Sequence, residues 1–188
     1  MIALGLSLQA VAGLDELPSG SYGLDKTHGY ITFSYSHLGF SNPHIGFNEF
    51  DVALELDSAN PENSKLAVSI NASSIDSRVE EFNGHLNGDK FFDTANHPEI
   101  SFAATDISKT GDDTYDVIGD LTIKGTTKPV TLKATINKAE NHPMRKVPTI
   151  GILAEAKVNR ADWGLSRAIP MVGDEVTIYI SVELPKSE

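Results

Sequence analysis

Apolar and polar residues alternate along most of the chain. In the segment 114–125, Tyr115, Val117, Leu121 and Ile123 share one parity while charged and hydroxyl residues, with Ile118 among them, take the other. Successive side chains of a strand point to opposite faces, so this pattern sets an oily face against a watery one. The same period runs through Ile31, Phe33, Tyr35 and His37, through Phe50, Val52, Leu54 and Leu56, and through Leu66, Val68 and Ile70. It returns in Ile100, Phe102 and Ala104, in Val130, Leu132, Ala134 and Ile136, in Ile150 to Val158, and in Val176 to Leu184. About eight strands are therefore expected, near 22–40, 46–57, 65–72, 99–107, 114–124, 128–137, 149–158 and 175–184, with 114–137 as a hairpin turning near Gly125-Thr126. Asn, Pro, Gly and Ser fill the gaps, as in the turn 57–64. One segment changes period: Val79, Phe82 and Leu86 follow helical spacing, and Ser77-Arg78-Val79-Glu80 reads as a capping box. One short helix is expected at 77–87, with Phe91-Phe92 pinning the segment after it to the sheet. Many strands with little helix make the fold all-β, a closed or sandwiched antiparallel sheet.

Composition narrows the function. The 188 residues suit one domain. Lys plus Arg is 15 and Asp plus Glu is 26, a net charge of −11. Such a surface repels phosphate backbones, so nucleic acid is not an expected partner, and adsorption to anionic lipid is disfavoured. The absence of cysteine excludes disulfides, thiolate catalysis and Cys-ligated zinc. His28, His37, His44, His85, His97 and His142 are scattered without metal-ligand spacing, and no Gly-x-Ser-x-Gly elbow or phosphate loop is present. No metal, no cofactor and no enzymatic activity are expected. Met1 to Leu14 is mostly small and apolar, and Ala10-Val11-Ala12 resembles a cleavage site, so residues 1–21 read as a residual signal-like segment followed by a linker at 14–21.

Several stretches carry a family resemblance in combination. They are 22–40 (YGLDKTHGYITFSYSHLGF), Gly46-Phe47, 78–93 (RVEEFNGHLNGDKFFD), 97–102 (HPEISF), 119–132 (GDLTIKGTTKPVTL), 159–164 (NRADWG) and 172–184 (VGDEVTIYISVEL). With them the chain resembles the YceI-like family of bacterial polyisoprenoid-binding proteins over about residues 22–188. Trp163 stands where that family more often has Phe. The resemblance implies an extended, lipocalin-like, eight-stranded antiparallel β-barrel whose long apolar tunnel takes an isoprenoid tail, that of a quinone such as ubiquinone or of a polyprenyl phosphate. It also implies export to the periplasm or beyond. The isoprenoid lipid is then the expected ligand. Transient exchange with a membrane, a homodimer, and a place as one module of a larger exported protein stay open.

On that reading the tunnel wall is expected from Ile31, Phe33, Tyr35, Phe40, Phe47, Phe50, Val52, Leu54, Val68, Ile70, Phe82, Phe91, Phe92, Phe102, Val117, Leu121 and Ile123. Each, taken singly, also fits plain core packing. A head group would be met by His37, Arg78, His85, Lys90, Arg160 and Trp163. Arg can grip a phosphate through two parallel bonds. Arg160 equally fits an ion pair with Asp162 or Asp174, and His37 a rim histidine bonded to backbone. A tail of about forty carbons would nominally gain on the order of 30 kcal/mol on leaving water. Its real alternative is a bilayer, as apolar as any tunnel, so exchange should be nearly balanced. This favours a carrier or store over an irreversible sink. The competing class is a secreted carbohydrate- or protein-binding module with a solid core, using Tyr30 and Trp163 as platforms.

Overall fold

The computed structural model describes residues 13–187. Among them are eleven strands in one antiparallel sheet: β1 (Gly20–Gly23), β2 (Tyr30–His37), β3 (His44–Phe47), β4 (Phe50–Leu56), β5 (Lys65–Asn71), β6 (Ile75–Asp76), β7 (Glu99–Lys109), β8 (Thr114–Ile123), β9 (Thr126–Asn141), β10 (Pro148–Asn159) and β11 (Val172–Pro185). Their order is β1-β4-β5-β7-β8-β9-β10-β11-β2-β3-β6. Two of the expected strands, 22–40 and 46–57, are each broken in two, and a short extra strand, β6, follows the one expected at 65–72, which accounts for the higher count. Between β1 and β2, Asp25 Oδ1 accepts from the Thr27 N–H at 3.0 Å and from its hydroxyl at 2.7 Å, a side-chain turn that no ladder can continue through. Between β5 and β6, Ala72–Ser74 forms one turn of 3-10 helix.

Each break lets the chain change partner. β1 pairs with β4 while β2 pairs with β3, and β4 pairs with β5 while β3 pairs with β6. β11 pairs with β2 along its length, and its end meets β1 through the Tyr22–Lys186 bridge and a 2.8 Å bond from Ser187 N–H to Ser21 O. The sheet therefore curls until its two sides meet, as eight staves made from eleven strands. Inward positions follow the expected parity: in β8, Tyr115, Val117, Gly119 and Leu121 are buried. The β8–β9 hairpin turns on Lys124 and Gly125, both at positive φ (49° and 71°), with Ile123 opposite Thr126. A two-residue turn of this hand matches strand twist, and glycine adopts it freely.

Two expectations are corrected. Helix α1 spans Glu80–Asn87, shorter than 77–87, and Val79 at its N-cap makes no side-chain capping bond. Arg78 sits at φ 65°, so the Ser77–Glu80 box cannot close. Instead Asn83 reaches back, and its Oδ1 accepts from Ser77 N–H at 2.7 Å and from the Ser77 hydroxyl at 2.6 Å. The segment at 14–21 is not a free linker. Leu14–Glu16 is a 3-10 turn, Leu17 is buried, and the Tyr22 hydroxyl donates to Pro18 O at 2.7 Å. The cleavage-like Ala10-Val11-Ala12 lies outside the described residues.

Candidate functional site: an apolar tunnel

The inward faces do not meet in the middle. A cavity of about 260 Å³ occupies the end of the barrel near α1, and a second of about 100 Å³ lies towards the opposite end. Ile31, Val68, Leu132 and Ile180 line both, so the two cavities lie in series with these residues at their waist. Leu14 and Pro61 reach the far cavity from outside the sheet.

Most of the expected wall is there. Phe33, Tyr35, Phe47, Ile70, Phe82, Phe91, Phe92, Phe102, Leu121 and Ile123 line the near cavity, and Val52, Leu54 and Val117 line the far one. Local geometry explains how so many rings fit around a void. Phe33, Phe47 and Phe92 pack against one another with centroids 5.8–6.2 Å apart, which holds the segment after α1 against β2 and β3. Phe82 and Leu86, one turn apart on α1, bring the helix onto the same cavity. On β8, Gly119 leaves room for the Phe102 ring, since a Cβ there would collide with both that ring and the Ala103 carbonyl.

Two wall assignments are wrong. Phe40 is 91 % exposed, because the chain leaves β2 at His37 and turns outward through Leu38 and Gly39, both at positive φ. Phe50 starts β4 with the right parity but lies beyond the void, half-buried beside Gly29 in the turn before β2. Other lining residues were missed. Ile100, Val130, Ile152, Ile178 and Ile180 share the inward parity of their strands and could have been found by extending the same rule. Leu165, Arg167 and Ala168 come from the β10–β11 connection, which has no period to read, and Val172 opens β11 just after it.

The near cavity ends in polar chemistry. His37, Arg160 and Trp163 reach it, whereas Arg78, His85 and Lys90 are exposed and do not line it. The helix carrying His85 turns Phe82 and Leu86 inward, which leaves His85 on the solvent side. Arg160 is in neither of its expected ion pairs. Its guanidinium donates to four backbone carbonyls: Leu165, Gly173 (2.9 Å), Arg167 (2.9 Å) and Val172 (3.0 Å). These bonds gather the loop into a collar and leave one of the five N–H donors unused. Burial lowers the Arg160 pKa from its ordinary value, and the charge of Asp174 and the Tyr35 hydroxyl oppose that shift. Trp163 is 3 % exposed and spends its indole N–H on Leu121 O at 3.2 Å, so it offers the cavity ring surface only. Tyr35 makes no side-chain hydrogen bond among the described residues; burial raises its pKa while Arg160 pulls it down. Polar groups lining this end with hydrogen-bonding capacity to spare thus include the His37 imidazole, the Tyr35 hydroxyl and Arg160, with its one unused N–H.

A second polar cluster sits outside the far end. Asp25, His28 and Glu183 bring ligand-type atoms within 4.8 Å of one another. Arg145 already supplies the cation, donating to Asp25 Oδ2, and His28 Nδ1 lies 3.1 Å from the same oxygen. Burial pushes the Asp25 carboxyl up, but bonds from Thr27, His28 and Arg145 prevail and hold it well below the usual carboxylate range. The cluster ties the 142–147 loop to the turn between β1 and β2.

Known proteins share this architecture. Residues 22–184 match the family model described as the YceI-like domain. A UPF0312 protein of Azotobacter vinelandii is 33% identical over 97% of this chain and 94% of its own length. One from Yersinia pestis is 36% identical over 96% and 94%. Among solved structures, a Campylobacter jejuni YceI protein superposes with a TM-score of 0.75 at 26% identity, covering 81% of this chain and 90% of that one. Burkholderia cenocepacia BcnA gives 0.77 at 21% identity (85% and 98%), and shares the fold. A polyisoprenoid binding domain from Saccharophagus degradans, implicated in plant cell wall breakdown, gives 0.68 at 15% identity (88% and 98%) and likewise shares the fold.

Proposed function

The chain belongs to the YceI-like family, and from that premise we propose that it binds, stores or carries a long-chain isoprenoid lipid inside the barrel. The observation that carries the reading is the pair of apolar cavities in series, ending at the Tyr35 hydroxyl and the Arg160 collar. A slim branched hydrocarbon suits a passage walled by Ile, Val, Leu and Phe, because its burial needs no polar partner. Tyr35 and Arg160 can donate to a quinone carbonyl or a phosphate oxygen, so either head group is compatible with the mouth. The void argues against the competing module with a solid core. A polyisoprenoid-binding domain on the same fold adds support from likeness. The chain is a carrier rather than an enzyme on this reading, and it works in the periplasm or outside the cell, in keeping with the small residues at 10–12.

The test is organic extraction of the purified full chain followed by mass spectrometry, before and after incubation with a prenyl quinone and with a prenyl phosphate. Near-stoichiometric prenyl species are expected in at least one sample. Their absence from all would overturn the reading.

A further inference from the structure

We propose that the rim of the tunnel mouth is a membrane-docking surface, on which two apolar loop tips enter a zwitterionic bilayer so that the guest passes between lipid and tunnel without crossing water. The proposal rests on the carrier reading above and concerns how the guest arrives.

Sequence neighbourhood and geometry point to it together. His37 lines the near cavity, and the next residues are Leu38, Gly39 and Phe40. Ala168 and Val172 line it too, and between them lie Ile169, Pro170 and Met171. Exposed apolar residues on both loops are therefore flanked by cavity wall. Phe40 is 91 %, Met171 64 % and Leu38 49 % exposed. The tips are held side by side, since Leu38 N–H donates to Met171 O at 3.1 Å. Positive φ at Leu38 (55°) and Gly39 (75°), with a 3.0 Å bond from Phe40 N–H to His37 O, turns the chain so that Phe40 faces solvent. A lone exposed apolar residue needs no explanation, but three gathered at the mouth of an apolar passage do.

The size of the patch favours a bilayer over a protein partner. Three such side chains offer on the order of 400 Å², about half of the ~800 Å² that a stable protein partner covers. Shallow insertion of a few large apolar side chains into the interface is enough for reversible membrane contact. The charge of −11 opposes anionic lipid, so the surface suits zwitterionic head groups.

The experiment compares the full chain with the double variant Phe40→Ser/Met171→Ser in three assays. These are flotation with phosphatidylcholine vesicles, uptake of a fluorescent prenyl quinone from those vesicles, and uptake of the same quinone from detergent micelles. The expected result is at least a tenfold fall in flotation and in the rate of uptake from vesicles, with uptake from micelles unchanged. Equal flotation and equal vesicle uptake in the two proteins would overturn the docking surface. So would a native protein that loads from micelles yet ignores vesicles, which would point to a protein donor. A native protein that loads from neither source defeats the carrier reading itself, and the docking proposal with it.

Discussion

The two ends of the barrel are built from the same alternating strands yet differ in how tightly they close. At the far end Tyr22, Ile150 and Leu184 are essentially sealed, the 14–17 segment packs on, and the Asp25–Arg145 cluster ties a loop down. At the near end the wall is made partly of α1 and of the β10–β11 connection, held by bonds from Arg160 to four carbonyls. The far end behaves more as a core, sealed around a smaller void, where lost methylenes are felt. The near end behaves as a doorway, where loops rather than ladders define the opening. A barrel can thus put its stability at one end and its exchange at the other.

The largest effect expected from this contrast is on ligand uptake. Ile70 lines the near cavity and Val52 the far one. Ile70→Trp should cut uptake of a long prenyl chain at least tenfold. Val52→Trp should leave short prenyl chains bound and exclude long ones. Overpacking costs typically 1–3 kcal/mol, which a stable barrel survives. Binding of a labelled prenyl series to folded variants is the measurement; equal behaviour of the two would dissolve the distinction between the ends.

Next in size is stability. Leu184→Ala, in the sealed end, should cost about 2–5 kcal/mol in urea unfolding. Phe82→Ala, half-buried on α1 at the wall of the larger cavity, should cost about 1 kcal/mol, because it removes less packed surface than the fully buried Leu184. A cost at Phe82 matching that at Leu184 would mean that the near end is as much a core as the far one.

The smallest effect concerns pH. Because the folded Asp25 carboxyl titrates below its unfolded value, its contribution is complete above about pH 4 and is lost as the pH falls through the lower folded pKa. Asp25→Asn should lower the melting temperature at neutral pH by the equivalent of about 1–3 kcal/mol and flatten the acid limb of the stability profile. Guest binding at the opposite end should not change. An unaltered acid limb would mean that the Asp25–Arg145 cluster does not hold the far end together.

Most of the wall was readable because strand parity is local. A two-residue period decides which side chains share a face, and so Phe33, Val52, Ile70, Phe102, Val117 and Leu121 could be placed together before any contact was known. Phe40 and Phe50 failed at strand ends, where parity still counts residues but the chain has already turned away. His85 and Lys90 carried suitable chemistry on the wrong side of α1 and of the loop after it. The Ser77–Glu80 box matched in letters and failed because Arg78 took a left-handed conformation.

From its sequence alone this protein is an all-β chain with an oily inner face, one helix, an acidic surface and a family resemblance that forecasts a tunnel. Each of these rests on nearest-neighbour chemistry or on matched residues. Only the tertiary structure decided where strands break to change partners, and that the inner faces stand apart around a void. It also decided that Arg160 spends most of its donors on a collar of backbone carbonyls. Those outcomes depend on how residues far apart in the chain divide one fixed volume and a few hydrogen bonds, and no local period carries that information.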